Sequence, residues 1–153
     1  MKYKFVGIIA IGLSGLISSA QMPVQVPVPA PGKALICVYH MRETFGGWWL
    51  HDVAHPDMLI DGSFIETVYG AGYFVLQVNP GKHVLNASKH VSTIVDTTFD
   101  QPLDVEADKS YFVKITNHFS GVNAHNAWTL GVVSKEQAQK EMSGLKQTYT
   151  RPD

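Results

Sequence analysis

The chain has 153 residues, 45% of them hydrophobic and 16% charged, and a formal net charge of −1 at pH 7. That length fits one domain with a sizeable core. There are only two arginines, Arg42 and Arg151, and no Lys/Arg cluster, so the concentrated basic footprint of a nucleic-acid binder is missing; a single cysteine, Cys37, excludes an internal disulfide.

The first twenty residues read as a secretory signal peptide. A basic start, Met1-Lys2-Tyr3-Lys4, precedes an apolar run from Phe5 to Ile17, and Ser18-Ser19-Ala20 places small residues before a cut ahead of Gln21. As a helix the apolar run would span about 20 Å, short of the roughly 30 Å hydrocarbon core. The expectation is therefore an exported product, periplasmic or secreted, with no integral membrane span after cleavage following Ala20. Lys2 and Lys4 leave with the leader, so ten basic residues then face thirteen acidic ones.

Residues 21–32 carry a proline at nearly every second or third place. Proline fixes φ and has no N–H, so this stretch is expected to be an extended linker to a domain spanning 33–146. Ala34–His40 is an apolar run of strand length, and Cys37 within it reads as a small buried hydrophobe. Trp48–Val53 is a second candidate strand, ended by His55-Pro56-Asp57. Met58-Leu59-Ile60 runs into Asp61-Gly62, a strong turn dipeptide. Phe64–Tyr69 alternates as an amphipathic strand, with Phe, Glu and Val against Ile, Thr and Tyr. Tyr73–Val78 is apolar again. Pro80-Gly81 fits the centre of a type II turn leading to a strand over Lys82–Ser88. Val91–Phe99 alternates, Asp100–Asp108 is acidic and turn-like, and Lys109–Thr116 and Ala127–Val133 complete the strands.

The period then changes. Ser134 is a candidate N-cap with Gln137 three residues on, and Ala138, Met142 and Leu145 fall on one helical face. Residues 147–153 are expected to be a flexible tail. Short strands with turn signals every 8–12 residues, then one helix, predict an all-β fold: an antiparallel β-sandwich of about eight strands with one short C-terminal helix. Strands joined by two- to six-residue turns are expected to be mostly antiparallel, because parallel crossovers need a dozen or more residues.

Several of these strings resemble a known family. They are Ala34–His40 followed by Arg42, Ile60-Asp61-Gly62, Gly72-Tyr73-Phe74 with Val78-Asn79-Pro80-Gly81-Lys82-His83, and the acidic turn and aromatic strand of Val105–Phe112. Together, over roughly Lys33 to Leu145, they resemble the bacterial domain of unknown function 2846. The resemblance implies an exported β-sandwich similar to PEGA-like and carboxypeptidase-regulatory-like modules. It carries over no activity, cofactor or catalytic residue. Family members often have lipoprotein signals, and this chain departs from that, with Gln21 where a lipid-bearing cysteine would stand.

Few residues nominate chemistry. His51 and His55 have the spacing of a zinc pair on a helix. On a strand, residues four apart lie about 13 Å from each other, so ordinary histidines are the preferred reading and no metal or other cofactor is expected. Ser63 and Ser120 lack the elbow context of a hydrolase nucleophile. Trp48 and Trp49 would point to opposite faces of a strand, so one of them could anchor a partner or stack on a sugar. The expectation is a non-catalytic module of the bacterial envelope that binds an envelope protein or a glycan. The alternatives are a carbohydrate-binding module using exposed aromatics and a His-based metal-binding protein.

Overall fold

A computed structural model describes residues 24–41, 56–89, 99–119 and 126–150. The described residues form nine strands and one short helix in the order β1 (Ala34–His40), β2 (Pro56–Ile60), β3 (Ser63–Thr67), β4 (Gly72–Val78), β5 (Gly81–Lys89), β6 (Phe99–Val105), β7 (Ser110–Phe119), β8 (Asn126–Val133), α1 (Lys135–Glu141) and β9 (Gln147–Thr150). They make two sheets: a five-stranded sheet ordered β8-β7-β1-β4-β9 and a four-stranded sheet ordered β3-β2-β5-β6. The expectation of an all-β fold with one short helix therefore holds.

The two sheets share a core. Ala34, Ile36, Val38, Phe74, Leu76, Val113, Ile115 and Trp128 of the larger sheet meet Met58, Ile65, Leu85, Ala87, Leu103 and Val105 of the smaller one. Alternation along β1 sends the other residues, Leu35, Cys37 and Tyr39, to the opposite face of the same sheet. There they join Tyr73, Val75 and Phe112 in a second cluster, covered by Ala138 of α1 and its C-cap residue Met142. This explains why the β1 sequence is a continuous apolar run: both of its faces are covered.

Turn chemistry is used in two different ways. Asp61 (φ 50) and Gly62 (φ 77) both have positive φ between Ile60 and Ser63, which face each other across β2 and β3. That is the requirement of a two-residue type I′ hairpin, and Asp-Gly meets it. Asn79-Pro80 makes no hairpin: β4 and β5 lie in different sheets, so the turn is an arch over the end of the core. Gly81 has φ 139, far from the roughly +80° of a type II turn, so glycine is needed there for a different reason than its sequence suggests.

Other expectations are corrected. Two pairings are parallel, β1 with β7 and β4 with β9. The argument for antiparallel pairs governs only strands joined by short turns, and these partners are far apart in sequence. The acidic stretch from Asp100 is strand, because Leu103 and Val105 face the core while Asp104 and Pro102 are exposed; Pro102 is tolerated on the edge strand β6. The expected tail supplies β9, which lies against β4. The proline-rich stretch is not free over 24–32: Val24 and Val26 pack against the outer cluster, the Ala30 N–H donates to Gln77 Oε1 (3.0 Å) and the Gly32 N–H to Asp108 Oδ1 (2.9 Å). The candidate strands over Trp48–Val53 and Val91–Thr98 lie outside the described residues.

Candidate functional site

The two outer faces differ. On the larger sheet the outer face is roofed by α1 and by Val24 and Val26. On the smaller sheet the outer face carries side chains and no covering element among the described residues. Phe64 is 57% and Val84 40% exposed, both large apolar groups.

Register shows how this face is built. Side chains directly opposite one another on neighbouring antiparallel strands share a face. Leu59 sits opposite Phe64 and Asn86, and Asn86 opposite Asp100. One straight row therefore crosses all four strands as Phe64, Leu59, Asn86, Asp100. Val84 and Pro102 face each other in the next row, followed by Lys82 and Asp104. On the other side lie Thr67, Asp57 and Ser88. An apolar centre of Phe64, Leu59, Val84 and Pro102 is thus bordered by polar groups. Asn86 Nδ2 donates to Asp100, and Thr67 Oγ1 to Asp57. Three aspartates against one lysine leave the border acidic.

Phe64 reaches this face through a β-bulge. The register shifts between Met58 and Leu59, so that Met58 faces Glu66 while Leu59 faces Phe64. Ile65 is the extra residue, and it turns into the core at 7% exposure. Simple alternation would have kept Phe64 and Glu66 on one face. Instead Glu66 faces inward opposite the buried Met58. Its Oε2 is buried without a hydrogen-bond partner, and burial raises its pKa.

Three further polar groupings tie elements together. Glu141 accepts from Tyr39 Oη (2.7 Å) and Lys114 Nζ (2.9 Å), fastening the end of α1 to β1 and β7. His83 lies between Asp61 Oδ2 (2.7 Å) and the Asn79 carbonyl (2.8 Å), at the end of the molecule that holds the hairpin and the arch. At the opposite end His40 Nδ1 is 3.0 Å from the Gly70 carbonyl, and its ring meets the Trp128 indole edge-on with centroids 5.5 Å apart.

Trp48, Trp49, His51 and His55 all lie outside the described residues. Cys37 is fully buried, 3.9 Å from Met142 Sδ, and burial pushes its thiol up to about 12, which fits the reading of a small hydrophobe. Among the described residues no group of three or more His, Cys, Asp or Glu could hold a metal ion, and no helix is long and apolar enough to cross a membrane. The exposed face on the smaller sheet was missed in the sequence. Its only signal was an aromatic residue, Phe64, two places after the Asp-Gly turn.

Neither the characterised proteins nor the solved structures yielded a match to this chain. The family described as a protein of unknown function, DUF2846, matches residues 30–128, from four residues before β1 to the third residue of β8. That span includes the hairpin, the arch and the whole four-stranded sheet. The chain belongs to the DUF2846 family.

Proposed function

We propose that this protein is an exported, non-catalytic β-sandwich module of the bacterial envelope that binds a partner protein through the outer face of its four-stranded sheet. The observation that carries this reading is the contrast between the two outer faces: one is roofed by α1 and by Val24 and Val26, the other presents Phe64 and Val84 to solvent beside Leu59. An apolar centre with a polar border is the anatomy of an interface. The acidic border, with Asp57, Asp100 and Asp104 against Lys82, favours a partner whose apolar side chains are flanked by Lys or Arg. A second copy of the same face would set like charges against each other.

The test compares the mature protein with Phe64→Asp and Val84→Asp variants. The substitutions change exposed side chains, so circular dichroism should be unchanged. The expected result is one envelope protein retained by the wild type at low salt, lost on the variants, and weakened as ionic strength rises. Equal capture by wild type and variants would sink this reading. Retention of a glycan rather than a protein, again lost with Phe64→Asp, would favour the carbohydrate-binding alternative. Export is tested separately: the intact mass of the protein recovered from the envelope fraction should correspond to a chain beginning at Gln21.

A further inference from the structure

His83 has an acceptor at each ring nitrogen. Nδ1 is 2.7 Å from Asp61 Oδ2, and Nε2 is 2.8 Å from the carbonyl oxygen of Asn79. A carboxylate and a carbonyl oxygen can only accept. A neutral imidazole has one N–H and one lone pair, so in either neutral tautomer a ring lone pair would confront an oxygen lone pair at hydrogen-bond distance. Only the imidazolium, with an N–H on both nitrogens, satisfies both contacts. The side chain is 15% exposed, so water has limited access to substitute for a lost bond.

The three groups belong to three different pieces of chain. Asp61 is the first residue of the β2–β3 hairpin, Asn79 opens the arch between the sheets, and His83 lies on β5. Asp61 also accepts from the Val84 N–H through Oδ1 (2.9 Å), and its own N–H donates to the Val84 carbonyl (2.9 Å). Asn79 is held from the other side by Lys33 Nζ on its Oδ1 (3.0 Å). We infer that His83 is doubly protonated in the folded protein near neutral pH and acts as a proton-dependent clamp joining the β2–β3 hairpin to the β4–β5 arch.

The charges around the clamp fit this assignment. Desolvation is the largest influence on His83 and pulls its pKa down, but the Asp61 bond, the Asn79 carbonyl and the Asp61 charge together outweigh it, and the net shift is upward from 6.5. The His83 bond, then the Val84 N–H, lower Asp61. Lys33 is the cation approaching from the start of β1. Lys82 and Asp104 face each other on the opposite side of the sheet, and Glu106 and Lys109 pair with each other in the β6–β7 turn at 2.7 Å. A group whose folded pKa is raised stabilises fully below its unfolded pKa and loses that contribution as pH rises through the folded value. The clamp is therefore closed below about pH 6.5 and opens as pH rises through the folded midpoint, which lies above that value.

The test is nitrogen NMR of the His83 ring in the intact mature protein. The expected result is that more than half of His83 is imidazolium at pH 6.5, and that the Asp61 and Val84 amides lose exchange protection as pH rises through its midpoint. Asp61→Asn, which suits the positive φ at that position, should fold and lower the His83 midpoint. A single neutral tautomer at pH 6.5, or an unchanged midpoint in Asp61→Asn, would overturn the assignment. The measurement is made on the free protein, so it stands or falls independently of any partner.

Discussion

Glu141 accepts from Tyr39, Lys114 and Gln137, whose side-chain amide reaches it at 3.0 Å. The Tyr39 hydroxyl, then Lys114, hold its carboxyl down at about 2, from an ordinary 4.5. A depressed carboxylate stabilises the fold above its unfolded pKa, and that contribution disappears as pH falls through the folded value. The melting temperature of the wild type should therefore drop between about pH 4.5 and pH 2, and Glu141→Gln should flatten that part of the profile. At neutral pH the same substitution should cost about 1.5–3 kcal/mol, as for other hydrogen bonds to charged groups. Parallel acid profiles for the two proteins would show that these bonds contribute nothing. Cys37 gives a second check at this scale. Buried and raised to about 12, it should resist a thiol reagent in the folded protein and react at the rate of unfolding. Rapid labelling without denaturant would contradict that.

The elements show which local signals decide structure and which do not. The Ser134 cap was legible: its hydroxyl accepts from the Gln137 N–H at 3.1 Å. Gln137 turns its own side chain to Glu141, so only half of the capping box forms. Ser134→Ala should cost about 1 kcal/mol in denaturant unfolding. The Asp61-Gly62 hairpin was legible because positive φ at both positions leaves few residue choices. By contrast, β9 was hidden. Gln147–Thr150 has no apolar period, and its place is set by contacts with β4: Thr148 Oγ1 donates to the Tyr73 carbonyl at 3.2 Å, and the Tyr73 N–H donates to the Lys146 carbonyl at 3.1 Å. Gly72 makes room for it. A Cβ there would lie 2.5 Å from Thr148 Cγ2 and 3.1 Å from the Lys146 carbonyl. Gly72→Ala should loosen β9 at a cost of about 1–3 kcal/mol, read as faster proteolysis near the C-terminus. Unchanged cleavage would mean that β9 shifts without harm.

For the whole molecule, periodicity disclosed an all-β fold with one short helix, but not which strands meet. Pro80 and Gly81 announce a turn, and nothing in them says that the turn changes sheets. The exposed face was obscure for a related reason. It depends on the bulge at Met58/Leu59, which puts Phe64 and Glu66 on opposite faces where a regular strand would keep them on one. The same scale explains the proline-rich stretch. Val24 and Val26 complete the roof over a cluster that contains Leu35 and Tyr39, so a chain beginning after Val26 should melt several degrees lower, as a loss of about 1 kcal/mol predicts for a domain of this size.

The parallel pairing of β1 with β7 bears on the order in which the chain assembles. β1 is buried on both faces, yet its neighbours are distant: Leu35 lies beside Gln77 and beside Ser110. The most apolar segment of the domain gains its second neighbour only when the chain has been made beyond residue 110. Pairings of such long sequence separation make folding slow. Slow closure around β1 would suit the proposed export, because the newly made chain would stay open for longer before its core forms.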